Sequence, residues 1–187
     1  MAGKGFSHIG LSTLDLDKTR EFYERVMGFK VVVADRIKVT EGGTIRHIFI
    51  DTGCGQMLAF MEPHGIPGVP MEFDAGINRG LGVPGAFYHF AFEAGTLPEL
   101  EEKRRELIGK GVPVTEIVNH EWARSIYFKD PNGLSLEYCC KVRELTDDDA
   151  IMMDRVELSI RTLGMDFNGP REVPELRHVN PKAKPPR

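Results

Sequence analysis

The chain contains the same order of predicted elements twice, and this duplication limits its possible folds more than any other feature. In the first copy, residues 6–12 alternate apolar with small or polar side chains, as a strand with one buried face does. Asp15 can cap the next helix, in which apolar residues recur every three or four positions until Gly28. Three short strands are then predicted at residues 29–34, 44–51 and 56–62. Residues 5–62 are therefore predicted to form a βαβββ module.

A second copy follows a segment rich in proline and glycine, residues 63–85, which we interpret as a linker. Residues 87–92 have the pattern of a strand, and Thr96 and Glu99 form a capping box that starts a helix. Further strands are predicted at residues 112–118, 125–129 and 134–140, with a hairpin turn at residues 130–133. Residues 86–141 are thus a second βαβββ module. The sequence predicts an α+β fold in which the two modules form one open, barrel-like cup.

The chain continues beyond the duplication. Thr146 and the three aspartates after it are typical of a helix start, and residues 151–160 carry an apolar stripe, so a C-terminal helix is expected. Residues 166–187 contain five prolines and an excess of basic residues, which is typical of a tail. We therefore divide the chain into a domain at 1–145 and a C-terminal segment at 146–187.

Composition favours small-molecule chemistry in the cytoplasm. The net charge of -4 gives no electrostatic attraction to nucleic acid or to anionic membranes. No apolar run reaches the length of a membrane span, and the first residues lack the apolar segment of a signal peptide. The three cysteines have no metal-binding spacing and no disulfide framework.

Three residues could form a metal site. His8 and His89 occupy the equivalent strand of each copy, and Glu137 lies in the last strand of the second copy on the face that points into the cup. Each residue alone would more often be structural. If the modules pair about a pseudo-twofold axis, the three come together, although spacing alone does not establish this. Two histidines and one carboxylate leave coordination positions open, as in the facial triad of non-haem Fe(II) oxygenases.

Residues 6–140 resemble the vicinal oxygen chelate superfamily, which includes glyoxalase I, methylmalonyl-CoA epimerase, the bleomycin- and fosfomycin-resistance proteins and the type I extradiol dioxygenases. The resemblance implies the βαβββ fold and the three metal ligands. The superfamily often dimerises, so a homodimer is one expected state. The segments that carry the resemblance are Ser7-His8-Ile9-Gly10-Leu11, Leu16-Asp17-Lys18-Thr19-Arg20-Glu21-Phe22-Tyr23, Tyr88-His89-Phe90-Ala91-Phe92 and Tyr127-Phe128-Lys129-Asp130-Pro131-Asn132-Gly133-Leu134-Ser135-Leu136-Glu137.

The resemblance is greatest to the type I extradiol dioxygenases. Alignment of the two copies through Gly55 and Gly133 places Ala59 opposite Glu137, where glyoxalase I and the epimerase carry a fourth ligand. The strand that contains Ala59 also resembles the extradiol enzymes. Tyr127 matches a tyrosine that binds a substrate hydroxyl in those enzymes, and His120 falls near a second active-site histidine. These matches imply an Fe(II)-dependent dioxygenase that acts on a catechol-like diol with molecular oxygen.

One residue departs from the extradiol pattern and keeps other functions open. Gln56 stands where those enzymes have an acid-base histidine, and His47 on the neighbouring strand is a candidate substitute. One alternative is a lyase or isomerase that uses Mn, Ni or Zn. Another is a protein that binds a drug in the cup without catalysis.

Overall fold

The computed structural model describes residues 5–154 and contains two modules with the predicted order of elements. The first module has strand β1 (His8–Ser12), helix α1 (Leu16–Glu21), which continues as a π-helical turn (Phe22–Val26), and strands β2 (Lys30–Lys38), β3 (Thr44–Gly53) and β4 (Gln56–His64). Its sheet has the order β1-β4-β3-β2, in which β1 is parallel to β4 and the other pairs are antiparallel.

The second module repeats this topology. Helix α2 (Asn78–Leu81) lies in the linker, followed by strand β5 (His89–Glu93), helix α3 (Leu97–Gly109) and strands β6 (Val118–Asn119), β7 (Ala123–Lys129) and β8 (Ser135–Lys141). Its sheet has the order β5-β8-β7-β6, again with one parallel pair. Two open four-stranded sheets confirm the predicted α+β fold of two βαβββ modules.

The predicted helix caps also form. The Asp15 side chain accepts a hydrogen bond from the backbone N–H of Lys18, and the Thr96 side chain accepts one from that of Glu99. Each bond satisfies a backbone donor that the first helical turn leaves unpaired. Both helices therefore start where the sequence predicted.

A single hydrophobic core joins the helices to one face of each sheet. Alternate residues of β4, such as Leu58 and Phe60, are buried in it, as are Leu136 and Tyr138 of β8. Phe29 and Phe92 bring the two modules into contact, with their ring centroids 5.1 Å apart. The intervening strand residues, which include Glu137, point to the opposite face of each sheet.

A buried polar network fixes the junction between the modules. The turn between β7 and β8 presents Asn132, whose amide oxygen accepts a hydrogen bond of 2.7 Å from Thr13 and whose amide nitrogen donates one of 3.1 Å to Thr19. In the same turn, Asp130 accepts a hydrogen bond of 3.2 Å from the hydroxyl of Tyr23, which is fully buried. Because these residues belong to different modules, the network holds the modules in one relative orientation.

Two predicted elements differ from the structure. Of the predicted strand 112–118, only Val118 lies in a strand, which it forms with Asn119, because Pro113 has no N–H to donate and Thr115 binds the backbone of Tyr127 irregularly. The predicted C-terminal helix begins as a 3-10 turn (Asp147–Ala150), but Ile151 has an extended backbone and residues 151–154 are not helical. The rest of that predicted helix and the tail at 166–187 lie outside the described residues. None of the helices within residues 5–154 is long and apolar enough to cross a membrane.

The junction predicts a stability change. Tyr23→Phe removes the hydroxyl that binds Asp130 and should lower the free energy of unfolding by about 1 kcal/mol, since a buried carboxylate then loses one donor. Urea unfolding followed by circular dichroism measures this. Tyr88→Phe is the matched control, because the Tyr88 side chain is exposed. Equal effects of the two substitutions would show that the hydrogen bond does not stabilise the junction.

Candidate functional site

Glu137 is a buried carboxylate on the face of the second sheet that lies opposite the core. It is only 5% exposed, and it pairs with Ala91 on β5 and with Tyr127 on β7. A buried carboxylate needs a charged or hydrogen-bonding partner, because burial alone disfavours its ionised form. Its partners therefore indicate what the site can bind.

The main partner of Glu137 is His89. The two side chains approach to 2.9 Å between His89 Nε2 and Glu137 Oε2, while His89 Nδ1 lies 2.8 Å from the carbonyl oxygen of Ala86. A carbonyl oxygen can only accept a hydrogen bond, so Nδ1 carries a proton. Nε2 then faces a carboxylate, and this contact is favourable only when Nε2 binds a second proton or when a cation lies beside both atoms.

The contact between His89 and Glu137 shifts the pKa values of both side chains. The hydrogen bond to Glu137 raises the pKa of His89 above its ordinary value of 6.5, although burial acts in the opposite direction. Burial has the largest single effect on the pKa of Glu137 and raises it, but the hydrogen bond from His89 and the smaller effects of the neighbouring groups together outweigh burial, so the net pKa is lowered. The ionised carboxylate is thus the stable form of Glu137 at neutral pH.

Tyr127 and His120 lie next to this pair, as the sequence analysis predicted for a shared site. The Tyr127 hydroxyl is 2.8 Å from His120 Nε2, and its ring centroid is 6.1 Å from that of His89. Burial, followed by the charge of Glu137, raises the pKa of Tyr127, so the phenol stays protonated. Burial lowers the pKa of His120, so its imidazole is neutral at pH 7 and can accept a proton.

His8 and His47 lie together on the first sheet. Their rings contact Phe49 at centroid distances of 5.3 Å and 4.5 Å, respectively. His47 Nδ1 is also 3.2 Å from a carboxylate oxygen of Asp35, and His8 is exposed. The candidate residues therefore form two groups, one on each sheet.

A single chain does not bring these two groups together. Within residues 5–154, no three His, Cys, Asp or Glu side chains converge so as to hold a metal ion. His89 and Glu137 nevertheless fit a metal, because an imidazole nitrogen and a carboxylate oxygen lie 2.9 Å apart and the second imidazole nitrogen is anchored to the backbone. The role of His8 as a third ligand stays a prediction.

The strand register shows which position lacks a ligand. Gly10 pairs with Ala59 in the first module as Ala91 pairs with Glu137 in the second, so Ala59 occupies the position equivalent to Glu137. This confirms the alignment of the two copies. Ala59 has no ligating atom, so of the two positions equivalent to His89 and Glu137, the first module has a possible ligand only at His8.

The sequence analysis missed the residues that orient the imidazoles. The carbonyl of Ala86 holds His89, and Asp35 holds His47. Every residue has a backbone carbonyl, so the sequence does not indicate that the carbonyl of Ala86 binds His89. Asp35 could have been found, because it lies across a predicted pair of strands from His47.

Comparison with known proteins identifies one matching family and several solved structures with similar folds. The sequence profile of the Glyoxalase/Bleomycin resistance protein/Dioxygenase superfamily matches residues 5–138. No curated protein shows significant sequence similarity to the chain.

Three solved structures with similar folds differ in their described roles. One is an integron cassette protein from the mobile metagenome of the Halifax Harbour sewage outfall, with 27% identity, a TM-score of 0.52 and coverage of 73% of this chain and 98% of that one. Another is lactoylglutathione lyase from Agrobacterium tumefaciens, with 22% identity, a TM-score of 0.52 and coverage of 75% and 96%. The third is TnmS3, an antibiotic-binding protein from Streptomyces sp. CB03234, with 19% identity, a TM-score of 0.53 and coverage of 75% and 98%. The latter two proteins are less than 25% identical to this chain, so their similarity shows only a shared fold.

The His89–Glu137 contact predicts how the stability of metal-free protein depends on pH. The pKa of His89 is raised on folding, so the contribution of the pair is fully present below pH 6.5 and is lost as pH rises through the folded pKa. We expect the stability difference between wild type and Glu137→Gln to be largest near about pH 6 and to shrink toward about pH 9. Urea unfolding with a chelator present measures it. A difference that stays constant or grows over this range would contradict the prediction.

Proposed function

The chain belongs to the Glyoxalase/Bleomycin resistance protein/Dioxygenase superfamily, and from this premise we propose that it is an Fe(II)-dependent dioxygenase of the extradiol type. Its proposed substrate is a small molecule with two vicinal oxygens, such as a catechol. The proposed metal ligands are His89 and Glu137 from one module and His8 from the other. Tyr127, His120 and His47 are the proposed residues that bind substrate and move protons.

The anchored imidazole of His89 carries the metal proposal. With Nδ1 bound to the Ala86 carbonyl, Nε2 lies 2.9 Å from the ionised carboxylate of Glu137 and can donate to it only when it carries a second proton, whereas a neutral ring would present an electron pair to the carboxylate. Two adjacent electron-rich atoms repel each other unless a cation lies beside them. A divalent metal ion supplies that charge without requiring a second proton on His89.

The absence of a fourth ligand favours oxygen chemistry over the lyase and isomerase reactions. Ala59 occupies the position equivalent to Glu137 and offers no donor atom. Three protein ligands on one side of Fe(II) leave room for both oxygens of a diol and for molecular oxygen. When bound, Fe(II) would polarise the diol and supply electrons to oxygen.

Tyr127 and His120 are suited to handle the substrate protons. The protonated phenol of Tyr127 can donate a hydrogen bond to a substrate oxygen, which orients the ring beside Glu137. The neutral imidazole of His120, 2.8 Å from that phenol, can accept the phenolic proton while the phenol oxygen takes the proton that a diol loses when it binds as an anion. Both residues stay in place without metal, because they are held by each other.

We also propose that a second copy of the chain supplies His8. The polar junction at Asn132 and Asp130 holds the two modules of one chain in one orientation, in which no three potential ligands within residues 5–154 converge on a metal position. His8 and the aromatic residues Phe6, Phe87 and Tyr88 are exposed, which leaves them free to meet another subunit. A symmetric dimer would then contain two sites, each built from both chains. His47 would enter the same site from the partner's first sheet.

Gln56 supports a second candidate function. It occupies the position of an acid-base histidine in the extradiol enzymes, and an amide does not transfer protons at neutral pH. A lyase or isomerase that uses Mn, Ni or Zn to stabilise an enediolate needs no such histidine. Oxygen consumption separates the two functions, because an enediolate reaction uses no oxygen whichever metal is bound.

We expect the anaerobically purified protein, loaded with Fe(II), to bind near-stoichiometric iron and to consume oxygen with a panel of catechols. His8→Ala and Glu137→Ala should each lower iron content and oxygen uptake at least about tenfold, because a facial triad loses one of three ligands. His64→Ala is the control, since this exposed histidine pairs with Glu62 on another part of the first sheet. Metal analysis and an oxygen electrode provide the measurements.

The other outcomes of this experiment are equally informative. If the protein binds Mn, Ni or Zn and consumes no oxygen, the proposal of a dioxygenase would be wrong and that of a lyase or isomerase would be favoured. Protein that binds no metal under any loading condition would disprove the triad.

Mixed dimers test whether the site is shared. Co-expressed His8→Ala and Glu137→Ala chains, carrying different tags, should form mixed dimers that regain about half of the wild-type metal sites, because one of the two sites in each mixed dimer has all its ligands. Metal content and activity of the doubly tagged dimer provide the measurement. If each site forms within one chain, every site lacks a ligand and the mixture regains nothing.

A further inference from the structure

The residues that precede β5 are bound by one buried side chain, that of Asn78 at the start of helix α2. Its amide nitrogen donates hydrogen bonds to the carbonyl oxygens of Gly85, at 2.9 Å, and of Tyr88, at 2.6 Å. Its amide oxygen accepts one of 2.9 Å from the backbone N–H of Tyr88. Two acceptors face the amide nitrogen and one donor faces the amide oxygen, so the partners match the amide group. Asn78 therefore holds both ends of the segment at residues 85–88.

This segment contains the backbone group that anchors His89. The carbonyl oxygen of Ala86 accepts the hydrogen bond of 2.8 Å from His89 Nδ1. The backbone N–H of Phe87 also donates to the carbonyl oxygen of Pro84, at 3.1 Å, and this bond closes a turn around Ala86. Since peptide groups are planar, the orientation of residues 85–88 decides where the Ala86 oxygen points.

Side-chain packing gives the segment little support. The side chains of Phe87 and Tyr88 are exposed, and Gly85 has none. Because the hydrophobic core does not fix their positions, hydrogen bonds must do so, and Asn78 supplies three of them. The direction of the Ala86 carbonyl therefore depends on the side chain of Asn78.

Asn78 is itself anchored near the junction between the modules. Its backbone N–H donates a hydrogen bond of 2.6 Å to the carbonyl oxygen of Gly76, and Ile77 between them has φ 53° and ψ -70°. This is the strained form of a γ-turn, and a β-branched residue keeps it only where the surrounding contacts enforce it. A Cβ atom at Gly76 would lie 3.0 Å from the carbonyl oxygens of Asn132 and Gly133. The position of Asn78 is thus tied to the turn from which β8 begins.

We propose that Asn78 is a positioning residue for His89. By holding residues 85–88 it keeps the Ala86 carbonyl on Nδ1, and this keeps Nε2 directed at the Glu137 carboxylate, where the metal ion is proposed to bind. The inference rests on the proposed function, because the direction of Nε2 affects the reaction only if His89 is a ligand. The bonds of the Asn78 side chain go to backbone groups, so it acts on the imidazole through Ala86.

Loss of the Asn78 side chain should free the imidazole of His89. A ring without an acceptor at Nδ1 can rotate, and either nitrogen can carry the proton of the neutral form. A metal ion would then have to select one of several states of the ring, which lowers its apparent affinity. Removing an outer hydrogen bond to a histidine ligand typically lowers metal affinity about ten- to hundredfold.

NMR of the metal-free, full-length protein with isotope-labelled histidine tests the proposal. At about pH 6 both ring nitrogens of His89 carry protons, because its pKa is raised above 6.5. In wild type, Ala86 should protect the Nδ1 proton from exchange with water, and Glu137 should protect the Nε2 proton. In Asn78→Ala we expect the Nδ1 signal to be lost and the Nε2 signal to remain. The affinity for Zn²⁺ should fall about tenfold in the same variant.

Two further variants separate positioning from a general loss of structure. Asn78→Asp keeps the acceptor for the Tyr88 N–H but removes both donors, so it should show the same selective loss even if Asn78→Ala does not fold. Arg79→Ala is the matched control. It removes an ion pair with Asp74 from the same short helix and leaves the bonds of Asn78 in place, so both ring signals and the Zn²⁺ affinity should stay at wild-type values.

Two results would overturn the proposal. One is an Nδ1 signal that persists in a folded Asn78 variant. The other is an equal loss of the Nδ1 and Nε2 signals, which would show general loosening of the site. A different result would contradict the proposed function instead. If wild type shows both ring signals but binds neither Zn²⁺ nor Fe(II), the metal site would be wrong, while the hold of Asn78 on His89 would be supported.

Discussion

The carboxylate of Asp130 is buried where the two modules meet, and the orientation of one sheet against the other depends on how that charge is satisfied. Burial raises the pKa of Asp130, and hydrogen bonds from the Asn132 and Leu134 amides and the Tyr23 hydroxyl partly offset this cost. The backbone donors hold the turn between β7 and β8, and the Tyr23 hydroxyl ties that turn to the first module. Gly76 permits the close packing, because a Cβ atom there would lie 3.0 Å from the carbonyl oxygens of Asn132 and Gly133.

This junction explains why the candidate metal ligands fall into two groups. The modules share a core on their helix sides, so the opposite faces of the sheets are left to carry His8 in one module and His89 with Glu137 in the other. Under the proposed function, a second chain completes this site by supplying His8. Dimerisation and metal binding would then stabilise each other, since the metal bridges two subunits and binds only the assembled state.

The sequence predicted the fold because two local periodicities, about 3.6 in the helices and 2 in the strands, repeat in the same order in both modules. It also predicted that Tyr127 and His120 lie beside the His89–Glu137 pair. It could not predict the separation of His8, because the relative placement of two modules depends on a few distant contacts such as Tyr23 with Asp130. The prediction of a strand at residues 112–118 was wrong for a different reason. Apolar residues also occur in loops that pack on the core, and Val112 and Val114 lie in such a loop.

Strand β8 connects the proposed metal site to the hydrophobic core. Glu137 and Tyr138 are consecutive, so the alternation of a strand directs one to each face of the sheet. The parallel pairing with β5, which places Ala91 beside Glu137 and Phe92 beside Tyr138, fixes this register. A slip of one residue would put the Tyr138 ring where the Glu137 carboxylate stands and would bury the carboxylate among Phe92 and Phe128. The buried aromatic stack on one face therefore enforces the position of the charged ligand on the other.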